Sequence, residues 1–303
     1  MSVLKSASTR IQNAMTIDVE DYFQVSAFDK HITRDEWSSY QPRVENSTRR
    51  LLDLFAEANV SATFFVLGWV AERFPVLMRD IFAQGHEIAS HGPMHERVSS
   101  LTPEEFKRGV SATKQRLEDI TGAEVIGYRA PSFSIGPEQT WAWDILAETG
   151  HRYSSSIYPG QLDHYGFPGA PRTAFRVQGC NLLEIPVSTL DVFKQRLPIG
   201  GGGYFRLLPY GAFSAGIRRL NRGDGMPAMF YLHPWEIDPG QPRVSGLSRK
   251  THFRHYLNLH RTEPRLRRLL AEFSWARVID VYDIDAQPAV SKWNANCIPS
   301  ATG

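Results

Sequence analysis

Short apolar runs alternate along the chain with longer segments that have helical periodicity. Strands are predicted from Ala14 onward and at residues 62–67, 85–90, 124–128, 181–187, 226–233 and 277–282. Helices are predicted at residues 46–58, 70–83, 102–121, 137–149 and 264–273. Strand followed by helix, repeated at least four times, is typical of a parallel sheet with crossover helices.

Helix-end signals support these boundaries. Thr102 can cap a helix whose first residue is Pro103, and Glu105 completes a capping box, with Gly122 as the stop. Asn46 or Ser47 can cap the first helix. Pro75 must lie near the start of the second helical segment or at a break in it.

Four polar residues fall at the carboxyl ends of four different predicted strands. These residues are Asp18, His91, Arg129 and His233. Parallel α/β sheets and barrels build their sites at this end, so we expect the four side chains to meet. A random scatter of polar residues would not favour one end of the strands in this way.

The residues around two of these positions have the donors of a metal site. His91 and His95 are spaced i, i+4 around Pro93, which would start a helical turn, and they can converge on one cation. Asp18, Glu20 and Asp21 form an acidic cluster after the first strand. The alternative interpretations, in which no metal binds, are two polar histidines in a loop and a solvated acidic turn.

Composition restricts the class of protein. The chain has 303 residues, a formal net charge of +2 and two cysteines, which is unlike a nucleic-acid-binding protein or a disulfide-stabilised one. Residues 1–13 lack the apolar core of a signal peptide, and no apolar run is long enough for a transmembrane segment. We therefore expect a cytoplasmic protein with an N-terminal arm (1–13), one main domain (14–285) and a tail (286–303).

With these motifs in order, the chain resembles the polysaccharide deacetylases of the NodB-homology type, carbohydrate esterase family four. The matching motifs are residues 16–18 (Thr-Ile-Asp), 90–95 (Ser-His-Gly-Pro-Met-His), 129–131 (Arg-Ala-Pro) and 232–233 (Leu-His). The resemblance spans roughly residues 14–240, with 241–285 as an extension. Residues 18–23, 201–210 and 233–236 look most like the exosortase-associated exopolysaccharide branch.

The resemblance implies an α/β fold, a distorted and incomplete (β/α) barrel, and a divalent metal. The implied ion is Zn²⁺, with Co²⁺ or another divalent ion as alternatives. Its ligands would be His91, His95 and either Glu20 or Asp21. The implied substrate is an N-acetylated glycan, from which N-acetyl groups of hexosamine residues are removed. The alternatives are a related amidohydrolase for a small non-sugar amide and a catalytically silent glycan-binding module.

The resemblance also implies roles for the other motif residues. Asp18 would be the general base, Arg129 its ion-pair partner and His233 the general acid. Pro131 and the backbone N–H of Ser132 would bind the substrate carbonyl. Glu184, Asp191 and Asp238 are all open as the acidic partner of His233.

Further features carry weaker implications. Phe133 and Trp235 stand beside motif residues and are candidates for stacking on a sugar ring, whereas Trp69, Trp141 and Trp143 suit the core. The glycines at 200–203 suggest a mobile flap or a plain flexible connection. The arginine-rich residues 243–268 predict a solvated basic face or peripheral contact with a membrane or a lipid-linked glycan.

Overall fold

The computed structural model describes residues 11–161, 166–193, 195–285 and 292–293. The strands are β1 (Gln12–Val19), β2 (Thr63–Val66), β3 (Glu87–Ser90), β4 (Gly127–Tyr128), β5 (Tyr153–Ser154), β6 (Phe175–Val177), β7 (Leu183–Glu184), β8 (Thr189–Val192), β9 (Gln195–Pro198), β10 (Met229–Leu232), β11 (Ser274–Ala276) and β12 (Lys292–Trp293). The α-helices are α1 (Val44–Ala58), α2 (Gly68–Arg73), α3 (Pro75–Ala83), α4 (Pro103–Thr121), α5 (Trp141–Glu148), α6 (Gly202–Leu207), α7 (Tyr210–Arg218), α8 (Arg249–Tyr256), α9 (Leu259–Glu272) and α10 (Val278–Val281).

One curved, mostly parallel sheet organises the molecule. Its strand order is β10-β1-β2-β3-β4-β5-β7-β6-β12, and β11 pairs in parallel with the start of β1. Among the described strands of this sheet, β6 and β7 pair in antiparallel fashion, while β8 and β9 form a separate hairpin. Helices connect the parallel strands as crossovers. The predicted fold class, a distorted and incomplete (β/α) barrel, is confirmed.

The sheet is covered on both faces, as expected for parallel strands with crossover helices. Phe64 and Phe65 are neighbours in β2 and therefore point to opposite faces, yet both are fully buried. Trp69 and Trp143 are also buried, in agreement with their predicted core positions. The core therefore fixes the central strands from both sides and holds their carboxyl ends in a fixed register.

The capping residues predicted for both ends of α4 make the expected contacts. Thr102 accepts the N–H of Glu105, the Glu105 side chain accepts the N–H of Thr102, and Gly122 ends the helix in the left-handed conformation with φ 69°. The predicted helix at 70–83 is two helices, because Pro75 begins α3 after a break at Phe74.

Two predicted elements near the C-terminus are corrected. Residues 277–282 were expected to form a strand, but Val278–Val281 is a short helix and the strand is Ser274–Ala276. The side chain of Arg277 bonds to Asp280 one turn on, and Thr63 Oγ1 accepts the N–H of Val278, so both ends of the turn are held. Helix α9 begins at Leu259, five residues before the Pro264 at which it was predicted to start.

Both predicted terminal segments lie largely outside the described residues. Residues 1–10 of the arm are not described, and of the tail only Lys292–Trp293 is, where it pairs with β6. Among the described residues no helix combines the length and the apolar composition that crossing a bilayer would take.

Candidate active site

The carboxyl ends of four strands bring the predicted site residues together. Asp18 is the penultimate residue of β1, and His91, Arg129 and His233 directly follow β3, β4 and β10. All four strands belong to one sheet, and β1 lies between β10 and β2. The expected meeting of these side chains at one edge is therefore present.

Glu20, His91 and His95 form a buried group of metal-type donors. One donor atom from each lies within 4.8 Å of the other two. His91 Nδ1–H donates to the carbonyl of Arg129 at 2.8 Å, which fixes the tautomer and leaves the Nε2 lone pair free for a cation. Glu20 Oε2 lies 2.7 Å from His95 Nε2 but, among the described residues, has no well-aligned hydrogen bond.

The electrostatics of this group suit a cation. Burial lowers the pKa of His91 to about 4, so its imidazole is neutral at pH 7, as a metal ligand requires. Burial alone would raise the pKa of Glu20, but the nearby imidazoles of His95 and His233 lower it to about 2. Two imidazoles and an orphaned carboxylate oxygen fit a zinc-like divalent ion.

Asp21, the other open candidate for the third ligand, is used elsewhere. Its Oδ2 accepts the N–H groups of Arg43 (2.6 Å) and Val44 (2.9 Å), and its Oδ1 accepts the N–H of Tyr22. Asp21 therefore caps α1, which corrects the predicted cap at Asn46 or Ser47. Burial raises the pKa of Asp21 to about 6 despite these bonds. The structure groups Glu20 with the two histidines and turns Asp21 toward α1.

His95 reaches the group from a loop, and the expected helical turn after Pro93 is wrong. His95 has φ 53°, in the left-handed region that non-glycine residues rarely adopt. Arg34 holds this loop, since its Nε donates to the carbonyl of Met94 at 2.6 Å and its second nitrogen to the carbonyl of His95 at 3.1 Å. Arg34 was missed in the sequence, because no motif there marks it.

Asp18 and Arg129 form a buried ion pair beside the metal-type donors. Arg129 donates to Asp18 Oδ1 at 2.6 Å and, from the same nitrogen, to Thr16 Oγ1 at 2.8 Å. Its guanidinium also bonds to Ser155 and lies 4.0 Å from the centre of the Phe65 ring. Arg129 is fully buried, so it is fixed by these contacts and holds Asp18 in one orientation.

His233 completes the site through a chain of buried charges. Its Nε2 lies 3.5 Å from Glu20 Oε1 and 4.0 Å from Asp18 Oδ2. On the other side of the ring, Nδ1–H donates to Glu236 Oε2 at 2.9 Å, and Glu236 Oε1 accepts from Arg206 Nε at 2.8 Å. Burial lowers the pKa of His233, but the carboxylates of Glu20, Glu236 and Asp18 outweigh burial and raise it to about 9.

Glu236 is therefore the acidic partner of His233, and the three open candidates are all wrong. Glu184 accepts hydrogen bonds from the backbone N–H groups of two residues and from the indole N–H of Trp143. Asp191 pairs with Arg172 and Arg196, and Asp238 pairs with Arg43. The missed signal was the spacing His-Pro-Trp-Glu, since Glu236 also accepts the N–H of His233 as in a capping box.

Trp235 does not offer a sugar-stacking platform, which corrects the sequence prediction. Its ring stacks on His233 (5.2 Å between centres) and on His255 (4.2 Å), and the residue is only 7% exposed. Its indole N–H points to Glu20 Oε1 at 3.3 Å. Trp235 therefore packs beneath the site and positions both His233 and Glu20.

Pro131, Ser132 and Phe133 form a short 3-10 turn after β4. Ser132 and Phe133 both have positive φ, 56° and 50°, and the Ser132 hydroxyl contacts that of Ser26 at 2.8 Å. Ser26 also lies 3.4 Å from His95 Nδ1, so the turn adjoins the metal-type donors. A cavity of about 240 Å³ opens here, lined in part by Ser132 and Phe133.

The glycines at 200–203 serve close packing, so neither the mobile flap nor the flexible connection describes them. A Cβ on Gly200 would strike the carbonyl of Met229, and one on Gly201 would strike the ring of Tyr231. A Cβ on Gly202 would meet the carboxylate of Glu236. Gly203 alone has open space around it. The run lets the backbone pass directly against β10 and Glu236.

Two family models divide the chain between them. Residues 28–154 match the polysaccharide deacetylase model. The adjoining residues 155–283 match a domain of unknown function (DUF3473). His91, His95 and Arg129 lie in the polysaccharide deacetylase region, whereas His233 and Glu236 lie in the second one. Asp18 and Glu20 precede both matches.

Curated relatives are similar to part of the chain. A peptidoglycan-N-acetylglucosamine deacetylase from Bacillus cereus is 33% identical over 170 residues, which are 53% of this chain and 62% of that protein. A chitooligosaccharide deacetylase from Sinorhizobium fredii is 32% identical over 112 residues, 37% of this chain and 49% of that protein. The chain thus spans about half the length of the curated relatives it matches.

Solved structures share the fold over a longer stretch. A candidate polysaccharide deacetylase from Mycobacterium smegmatis superposes with a TM-score of 0.60 at 21% identity, covering 92% of this chain and 91% of that one. An allantoinase superposes with a TM-score of 0.56 at 19% identity and the same coverage of both chains. At these identities the likeness establishes the barrel fold of the polysaccharide deacetylase region and its neighbour.

Proposed function

We propose that this chain is a metal-dependent hydrolase that removes N-acetyl groups from hexosamine residues of a polysaccharide or glycan precursor. The observation that carries the proposal is the buried group of Glu20, His91 and His95 beside the Asp18–Arg129 pair and His233. Amide hydrolysis needs a polarised carbonyl, a base for the attacking water and an acid for the departing amine. Each requirement has a candidate group within this one site.

The sugar substrate is inferred from the relatives. Two proteins at least 32% identical over their matched parts are named for deacetylation of N-acetylglucosamine in peptidoglycan and of chitooligosaccharides. The allantoinase that shares the fold makes a small cyclic amide the second candidate substrate. The sugar reading is preferred because it rests on sequence identity as well as on fold.

Glu20 Oε2, His91 Nε2 and a ring nitrogen of His95 would hold the divalent ion, for which Zn²⁺ is our choice and Co²⁺ the alternative. The ion would supply Lewis-acid polarisation of the amide carbonyl and would acidify the attacking water. Trp235 and the carbonyl of Arg129 orient Glu20 and His91 through their hydrogen bonds, the usual role of outer-shell partners.

Asp18 is proposed as the general base. Its Oδ1 is engaged by Arg129, so the carboxylate is oriented with Oδ2 toward His233 and the metal-type donors. Oδ2 is then the atom that accepts the proton of the attacking water. The guanidinium of Arg129 pairs with this carboxylate in the protein interior and holds it in that orientation.

His233 is proposed as the general acid for the leaving amine. The carboxylate of Glu236 at Nδ1–H raises the pKa of His233 and so favours the protonated imidazole, whose Nε2–H can donate. The bond from Nδ1–H to Glu236 keeps the ring in the orientation that points Nε2 at the site. Glu236 is itself fixed by Arg206, whose guanidinium donates to the carbonyls of His255 and Leu257.

The backbone N–H of Ser132 is proposed to stabilise the developing oxyanion, with Pro131 shaping the turn. The first N–H groups of a helical turn have no acceptor within the turn, so they are available to an anion. The adjoining cavity of about 240 Å³ would receive part of the sugar, with Phe133 in its wall. Stacking of Phe133 on a sugar ring stays a prediction.

Acetate release from N-acetylglucosamine oligomers, with and without chelator, tests the proposal. We expect release that chelator abolishes and Zn²⁺ restores. Turnover of a small cyclic amide such as allantoin, without release from oligomers, would favour the second candidate. Oligomer binding without any hydrolysis would instead identify a catalytically silent glycan-binding module.

Exopolysaccharide modification is our proposal for the biological setting. It is supported by the resemblance of residues 201–210 and 233–236 to the exosortase-associated branch. The close packing of Gly202 against Glu236 gives that resemblance a physical basis, because both segments build the environment of His233. The predicted cytoplasmic location stays a prediction, which cell fractionation with an antibody to the chain would check.

A further inference from the structure

A strongly cationic segment lies on the surface next to the candidate active site. Residues 240–262 contain five arginines and lysines and no aspartate or glutamate, although the whole chain has a net charge of only +2. Three of the five, Arg249, Lys250 and Arg254, lie on the short helix α8 and are exposed. The other two, Arg243 and Arg261, are exposed as well.

Not every cation of the arginine-rich residues belongs to this surface. Arg265 donates to the carbonyls of three residues at the end of α6, and Arg267 pairs with Glu57 and Glu263. Arg268 lies over the ring of Tyr210. These three arginines all lie on α9. We define the cationic surface by the exposed cations of α8, which are Arg249, Lys250 and Arg254.

Exposed apolar side chains stand among these charges. Phe253 on α8 is 57% exposed, and Leu207 at the end of α6 is 50% exposed. The two segments adjoin, because the guanidinium of Arg206 donates to the carbonyl of Arg254 at 3.2 Å. An exposed aromatic ring surrounded by cations is typical of a surface that lies in the headgroup region of a membrane.

The cationic surface is close to His233. On the buried face of α8, His255 stacks on Trp235 at 4.2 Å between ring centres, and Trp235 stacks on His233 at 5.2 Å. Only two rings therefore separate the helix that carries the cations from the proposed general acid. A partner bound to α8 would therefore lie close to the candidate active site.

We propose that the surface formed by Arg249, Lys250, Phe253, Arg254 and Leu207 docks on an anionic lipid bilayer. The cations would meet the lipid phosphates, and Phe253 and Leu207 would enter the apolar edge of the headgroup layer. The apolar side chains favour a bilayer over a soluble anionic glycan, which would leave them in water. The docking does not depend on the proposed hydrolytic function, since none of these five side chains belongs to the catalytic group.

Flotation of the full chain with vesicles tests the docking. The vesicles are phosphatidylcholine alone and phosphatidylcholine mixed with phosphatidylglycerol. Three variants are compared with the unmodified chain: Arg249→Ser/Lys250→Ser, Phe253→Ser, and the control Arg108→Ser/Arg116→Ser, which removes the same charge from the exposed, mixed-charge face of α4. Thermal unfolding of each variant checks that the fold is retained.

We expect binding to the anionic vesicles only, and about a thirtyfold lower partition coefficient for Arg249→Ser/Lys250→Ser, from the loss of two cations near the surface. Phe253→Ser should also weaken binding, while the control should not. Acetate release from soluble oligomers should be equal in all three variants. The proposal is overturned if neither vesicle binds or if the control loses as much. It is also overturned if Phe253→Ser has no effect and a soluble anionic polysaccharide competes fully, which would identify a glycan partner.

Discussion

Replacing Gly202 by alanine should impair the proposed general acid, His233, indirectly by displacing its partner Glu236. The new methyl group would lie against both carboxylate oxygens of Glu236. Glu236 is 1% exposed and is held on one side by Arg206 and on the other by two hydrogen bonds from His233, of 2.9 Å and 3.0 Å. The carboxylate cannot move to solvent, so it must move away from one of its partners.

The size of the effect follows from those bonds. A hydrogen bond to a charged group contributes about 1.5–3 kcal/mol, so loss of part of this network should lower the free energy of unfolding by about 2–4 kcal/mol. A misplacement of a catalytic group by about 1 Å costs on the order of 100-fold in rate. We therefore expect kcat to fall about 100-fold, with KM little changed, because His233 acts on the leaving group and not on binding.

Gly203→Ala is the matched control. It lies one residue on in α6, and a Cβ there meets nothing within 4 Å. Alanine in a helix is favoured over glycine by roughly 0.5–1 kcal/mol, so this variant should be slightly more stable and fully active. The assays are acetate release from N-acetylglucosamine oligomers, urea unfolding and the content of bound metal. The metal content should be unchanged in both variants. If Gly202→Ala and Gly203→Ala behave alike, the reasoning on Glu236 is refuted.

Three further predictions concern groups around the site and the core. Asp21→Ala should lower the free energy of unfolding by about 1–2 kcal/mol through loss of the α1 cap while metal content stays full; loss of metal would identify Asp21 as a ligand. Arg206→Met should lower the free energy of unfolding, measured with urea, by about 3–5 kcal/mol, because it leaves the carboxylate of Glu236 buried without its ion-pair partner. A loss below about 1 kcal/mol would contradict a buried ion pair at this position. Burial lowers the pKa of His86 from 6.5 to about 4 in the folded state, so its stabilising contribution is present above pH 6.5 and is lost as pH falls toward 4. Urea unfolding should show a loss of about 2 kcal/mol between pH 7 and 5 that His86→Asn removes, and an unchanged pH dependence in that variant would exclude His86 as its source.

The strand-end positions of the main site residues could be predicted from the sequence, because the end of a strand is determined by local sequence. Asp18, His91, Arg129 and His233 were placed correctly since each directly ends or follows an apolar run that the sheet buries. A parallel sheet then leaves little freedom in where those ends meet. The helix ends of α4 were equally readable, because capping boxes and left-handed glycines act within a few residues.

The rest depended on contacts between distant segments. Glu20 and Asp21 are adjacent, and which of them faces the histidines is decided by α1, whose first N–H groups take Asp21. Arg206 lies 30 residues from Glu236 and bonds to it only because α6 packs against the end of β10. The His-Pro-Trp-Glu spacing was readable in principle, since a glutamate at i+3 can reach back to the histidine it follows.

The central claim is that Glu20, His91 and His95 hold a metal that Asp18 and His233 use for amide hydrolysis. Bound metal and acetate release, measured side by side in Asp18→Asn and in His91→Ala, test it most directly. We predict that Asp18→Asn keeps its metal and loses its activity, whereas His91→Ala, and equally His95→Ala, loses both. Stoichiometric metal in both histidine variants, or undiminished acetate release after chelation, would contradict the claim.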